Sequence, residues 1–207
     1  PTAATNQCRL TRYYYPGSVP DGLSFPAEDI AVPNDQRPRL VIEETCGTEV
    51  SRTYNAYLSG STVSKRCVTA GAAYDDAANL VTTTHLVTSG AYQGRLSKVE
   101  HSDGTLTVYG YSYDGGAVQL TTTAETGAPN AGHDAVTDGT RTITVEDGGG
   151  DIVSSRTVDI LSGITLSELV YTRDAFGRAT CASNLVSGLF STTQYGCCGP
   201  EYAVDEE

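Results

Sequence analysis

An all-β fold of antiparallel hairpins, arranged as a sandwich or a repetitive sheet behind an extended proline-rich N-terminal arm, is what this sequence predicts. Three observations predict it. Short runs alternate apolar with polar residues, as in Thr142, Ile143, Thr144, Val145 and Glu146, the period that sends successive side chains to opposite faces of a strand. Turn chemistry separates these runs at Asp103 and Gly104, Asp114 to Gly116, Asp138 and Gly139, and Asp147 to Gly150. Thr and Ser fill 45 of 207 positions, and 13 Tyr stand against three Phe and no Trp, a composition suited to half-buried pleated surfaces.

Residues 1–39 form the arm. Pro16, Pro20, Pro26, Pro33 and Pro38 cluster around Tyr13, Tyr14 and Tyr15. Proline fixes φ and removes a ladder donor, so this stretch is expected to be extended, with edge strands at most. It is suited to wrapping its own domain or a neighbouring copy, with Tyr13, Tyr14 and Tyr15 as the candidate inter-subunit contacts. Residues 40–207 form the β domain. Strands are expected at Leu40–Glu44, Val50–Leu58, Val63–Val68, Leu80–Val87, Leu96–His101 and Leu106–Tyr113. The series continues at Val118–Ala124, Thr140–Glu146, Ile152–Ile160, Ile164–Tyr171, Ala179–Asn184 and Phe190–Tyr195. Ala70–Leu80 alone has helical composition, weakened by Gly71 and by Asp75 and Asp76.

A formal charge of −12 repels phosphate backbones and anionic headgroups, so nucleic acid is not an expected partner. No apolar run reaches the length of a membrane span. The absence of Met and the start at Pro1 point to a processed or excised segment of something longer. Six cysteines, Cys8, Cys46, Cys67, Cys181, Cys197 and Cys198, lack the paired spacing of a zinc site and are expected to form disulfides outside the cytosol. Six cysteines allow 15 pairings, among which sequence does not choose.

The run Gly94, Arg95, Leu96, Ser97, Lys98, Val99 leads through Asp103 and Gly104 to Tyr109, Gly110, Tyr111, Ser112, Tyr113 and Asp114. It resembles the YD repeat of the RHS family, whose pattern is G-R-L-x-x-V, an Asp-Gly turn, then Y-x-Y-D. Partial units follow at Tyr171 to Arg178, at Thr192 to Gly196, and at Tyr74 and Asp75 with Asn79 and Leu80. Asp138 to Ile143 also repeats the turn-and-strand sense of Asp103 to Val108. The resemblance implies successive antiparallel hairpins of the kind that build β shells or strips on bacterial surfaces and in secreted toxins, with no active site in the repeats.

Residue chemistry points the same way. No G-x-S-x-G elbow or phosphate-binding glycine loop is present, and His85, His101 and His133 are scattered. Adjacent carboxylates such as Asp75 and Asp76 point to opposite faces of a strand, which defeats paired acid and base work. Asp147 and Asp151 are weak calcium candidates within a glycine-rich turn. Tyr109, Tyr111 and Tyr113 share a strand face as either a core stripe or an aromatic platform. No N-x-[ST] sequon is present.

The expectation is therefore a non-enzymatic extracellular structural protein without cofactors. It would be a subunit or segment of a repetitive surface assembly or filament, with other copies of itself as partners. A secreted β-sandwich adhesin that binds surface glycans is the alternative, and an RHS-type toxin shell fragment the third.

Overall fold

Alternating sequence becomes alternating structure over nearly the whole chain. The computed structural model describes residues 9–16, 29, 36–197 and 199–205. Among these, fourteen antiparallel strands and no helix are found. Two compact units divide the chain, residues 1–104 and 105–207.

The first unit holds β1 (Arg9–Tyr14), β2 (Leu40–Thr45), β3 (Thr48–Leu58), β4 (Ser61–Arg66), β5 (Leu80–Leu86) and β6 (Leu96–Glu100). The second holds β7 (Leu106–Asp114), β8 (Gln119–Pro129), β9 (Val136–Glu146), β10 (Ile152–Asp159), β11 (Thr165–Arg173), β12 (Ala179–Asn184), β13 (Phe190–Gly196) and β14 (Gly199–Asp205). Within each unit every strand pairs with its sequence neighbours, and beyond neighbours only β7 and β9 touch. Each unit is thus a single-layer meander. The expected all-β fold of antiparallel hairpins is found, in its sheet form and not as a sandwich: among the described residues no strand of either unit crosses back to cover a face.

One layer buries little. The buried apolar side chains among the described residues are Leu40, Ile42, Tyr54, Ala56, Val99, Leu106 and Val136. In the first unit Tyr14, Leu40 and Tyr54 lie in one cross-strand row, and the loop between β4 and β5 folds over that row. Tyr74 from the loop meets Tyr54 edge to face at 5.7 Å, with the Lys65 ammonium 3.8 Å from the Tyr74 ring centroid.

That loop contains Ala70–Leu80, which forms successive turns and no helix. The N–H groups of Ala72, Asp76 and Asn79 donate to the carbonyls of Thr69, Ala73 and Asp76. Glu49 explains the preference for turns. It accepts from the Gly71 N–H at 2.7 Å and from both sides of the Arg52 guanidinium at 2.9 and 2.7 Å, while the Tyr54 hydroxyl donates to Ala72 O at 2.9 Å. Two of these contacts, to the Gly71 N–H and to Ala72 O, fix the loop backbone on β3, and Gly71 at φ +76 has a turn conformation.

In the second unit the polar rows do the corresponding work. Thr107 and Thr126 join hydroxyls at 3.0 Å and Thr142 and Thr157 at 3.4 Å, each pair directly opposite across neighbouring strands. Thr82–Thr84 and Thr121–Thr123 are ordinary residues of β5 and β8.

One expected turn is not a turn. Asp138 and Gly139 lie inside β9, and the hairpin reverses instead at residues 130–135. Gly139 (φ +146) faces Gly127 (φ +155) across the β8–β9 ladder. A Cβ on Gly127 would stand 2.0 Å from Asp138 O, and one on Gly139 2.1 Å from Thr126 O. The glycine allows two backbones to close up, a use that a dipeptide pattern does not distinguish from a hairpin turn.

Gly127→Ala is expected to destabilise the second unit by on the order of 1–3 kcal/mol through strained φ and backbone overlap. Gly110→Ala, whose Cβ would only reach Thr123 Cβ at 3.9 Å, is the tolerated control. Urea unfolding of both variants checks this.

Candidate functional site

Side chains that could do chemistry are held in turns and ladders, so the site is best built from the hairpin ends upward. Asp147 Oδ1 accepts from the Gly149 and Asp151 N–H groups at 2.9 and 3.0 Å, and the Asp147 N–H donates to Asp151 O at 2.9 Å. Asp174 repeats this arrangement with Phe176, Arg178 and Arg178 O. Asp114 caps its turn through Gly116 and Ala117, Asn184 through Val186 and Ser187, and Asn130 through Asp134 and Ala135. A short acceptor at the turn entrance thus satisfies the N–H groups that the reversal leaves unpaired.

The calcium candidates Asp147 and Asp151 take part in these bonds. Asp147 spends one oxygen on two backbone donors, and Asp151 lies 3.4 Å from the Arg173 guanidinium. Arg173 also donates to Gly177 O and Ile152 O at 2.8 and 2.9 Å, tying two neighbouring turns together. The Asp174 carboxyl lies below the usual carboxylate range, first because the Arg178 side chain donates to it. Among the described residues no group of three His, Cys, Asp or Glu side chains is gathered as a metal site.

Among the described residues, two surface depressions of the second unit bear on chemistry. One is lined by Leu169, Ala182, Asn184, Leu189, Phe190, Ser191 and Asp205, with Ser191 of β13 directly opposite Asp205 of β14. The other holds Arg178 stacked between the rings of Phe176 and Tyr195 at 5.1 and 4.6 Å, beside Cys197.

Within each unit the two described cysteines are placed far apart. Cys46 is the exposed tip of the β2–β3 hairpin at φ 52, and Cys67 adjoins Arg52, whose other neighbour is Ile42. Cys46 therefore lies two strands across and four residues along from Cys67, roughly 16 Å away on strand spacings and well beyond disulfide reach. Cys181 pairs with Thr192 in β13, five residues short of Cys197 at the following turn. The expected stapling finds no bridge among the described residues, and burial raises the Cys67 thiol above its ordinary value. Cys8 and Cys198 lie outside the described residues.

Tyr109, Tyr111 and Tyr113 share one face of β7 as the alternation requires, with Tyr109 and Tyr111 half-buried and Tyr113 58% exposed. In the arm, Tyr13 is exposed, Tyr14 packs on the first unit's core, and Tyr15 is exposed just past the strand end. The arm is thus not wholly free of the β domain, since β1 lies against β2 in register from Arg9 opposite Thr45 to Tyr14 opposite Leu40.

Sequence reasoning missed a second tie. Arg39 is 1% exposed and donates from Nε to Asp29 Oδ2 at 2.6 Å, while Asp29 Oδ1 accepts the Tyr57 N–H at 2.7 Å. Arg37 and Arg39 both lie over the Tyr57 ring, at 4.0 and 4.5 Å. A ten-residue separation with no periodicity left no signal for the pair.

What stays open is the outer side of two strands. Neither β1 nor β14 has a second strand partner among the described residues, and both are mainly exposed, Leu10 at 46%, Tyr202 at 55% and Val204 at 47%. These edges present backbone donors and acceptors able to pair with another strand. No protein-family model matches the chain, and no curated protein matches it.

Removing either member of the buried pair leaves the other uncompensated. Asp29→Asn and Arg39→Met are each expected to cost about 3–5 kcal/mol, read as a lower urea midpoint. Glu49 sets a pH dependence. Burial raises its carboxyl, but donation from Arg52 and the Gly71 N–H outweighs that and holds it below its ordinary value near 4.5. Its contribution is therefore complete above that ordinary value and disappears as pH falls through the lower folded one. Glu49→Gln should lower stability at neutral pH and flatten the acid limb between about pH 5 and 3 in thermal melts.

Proposed function

We propose that this chain is an extracellular structural segment, a building block of a repetitive surface assembly or filament in which copies join through their strand edges. The observation that carries the reading is the pair of open edges, β1 and β14, on units that bury few side chains. A single-layer hairpin series gains stability from each added neighbour and ends in unsatisfied backbone groups, so its continuation by another copy relieves what the fold leaves exposed.

The placement of the YD-like units supports the same reading. Residues 94–114 span β6, a turn and β7, and residues 171–178 span the β11–β12 reversal, with Asp114 and Asp174 as the capping acceptors. Repeat chemistry is thus spent on turn construction. The proposed role needs no cofactor, and it assigns a mechanical use to the Tyr and Thr rows.

Particles of the native material imaged by negative-stain microscopy are expected to contain several copies in a regular array, and purified chain is expected to sediment as larger species as concentration rises. Monomers alone, in both measurements, would overturn the proposal.

A further inference from the structure

The two open edges carry opposite charge. β1, Arg9-Leu10-Thr11-Arg12-Tyr13-Tyr14, has two cations and no acid, whereas β14, Gly199-Pro200-Glu201-Tyr202-Ala203-Val204-Asp205, has two acids and no cation. Resting on the assembly reading above, we propose that β1 of one copy pairs antiparallel with β14 of another, in the register that sets Arg9 opposite Asp205 and Tyr14 opposite Pro200.

This register satisfies both faces. On one, Arg9 meets Asp205, Thr11 meets Ala203 and Tyr13 meets Glu201. On the other, Leu10 meets Val204 and Arg12 meets Tyr202, joining two exposed aliphatic side chains and a guanidinium with an exposed ring. Arg9 and Arg12 already contact Glu43 and Glu44 of β2 at 2.8 and 3.1 Å, yet their side chains keep 69% and 50% of their exposure, so each can also face a strand on its outer side.

Pairing of the acidic edge with its own kind is disfavoured by the same residues. Antiparallel β14 against β14, centred on Ala203, opposes Glu201 to Asp205. Like charges directly opposite destabilise a strand pair. The chain's formal charge of −12 adds a general repulsion between copies, which makes the local cations of β1 the complement that an acidic edge requires. Unlike edges joined head to tail do not close on themselves by two-fold symmetry, so the contact propagates as a ring or an open polymer.

The test uses the full chain with charge swaps. Arg9→Glu alone and Asp205→Arg alone should each raise the concentration needed for assembly by roughly tenfold in sedimentation, and an equimolar mixture of the two should restore association between copies through the reversed pair. A Leu10→Cys, Val204→Cys chain should form an intermolecular disulfide between the introduced thiols, identified by mass spectrometry of a non-reducing digest. Circular dichroism of each variant monitors folding. Assembly that is insensitive to both swaps, with no such bridge, overturns the register while leaving the assembly reading intact. A wild-type chain that stays monomeric overturns both.

Discussion

Within each unit of this protein, the strands are held by their sequence neighbours and by almost nothing else. Most other features follow from that constraint. With no second layer, both faces of a strand are partly wet, so the faces carry Thr, Ser and Tyr, which tolerate water on one side and pack on the other. Stability must then come from ladder hydrogen bonds and directly opposed side chains, such as the Thr107–Thr126 and Thr142–Thr157 hydroxyl pairs, each worth a fraction of a kcal/mol. A nearest-neighbour structure is also only as strong as its reversals. That is why the hairpin entrances hold Asp or Asn, whose side chains accept the turn N–H groups that no strand can satisfy.

The first unit shows how a thin sheet acquires a local core without a second sheet. The loop after β4 is drawn onto the Tyr14, Leu40, Tyr54 row by Glu49 and Arg52, so a connection takes the place of a covering layer. On the β3 residue Tyr57, two guanidiniums and the Asp29 carboxylate converge from the arm. A buried ion pair is poor evidence of net stability, because desolvation offsets much of its attraction. Its effect here is positional: it fixes Asp29 and Arg39 relative to β3, and so sets where the chain enters β2.

Periodicity made β2 to β13 legible, because alternation and turn residues are local properties and the fold uses local connections throughout. The same logic explains the failures. β1 lies among prolines and carries two arginines, so its sequence reads as an arm, although pairing with β2 makes it a strand. β14 contains Pro200 and acidic residues, which hide it for a similar reason. Asp138 and Gly139 have turn chemistry but serve close backbone approach opposite Gly127, a relation between residues twelve apart. The cysteines read as a disulfide framework, yet strand register sets Cys46 and Cys67 out of reach of each other. Arg39 with Asp29 was invisible because only the folded arm brings them together.

The features least legible as strands are therefore the ones with the most to say about association. Proline and charge are devices by which natural sheets discourage indiscriminate edge pairing. On β1 and β14 they are distributed unevenly: prolines flank the arm strand while its six paired residues contain none, and Pro200 occupies the beginning of β14, leaving Glu201 to Asp205 with intact N–H groups. A uniformly protected edge would carry one sign of charge on both strands and repel every copy. In the proposed assembly, opposite signs leave each edge complementary to the other, so a single arrangement of charge would give the association its direction.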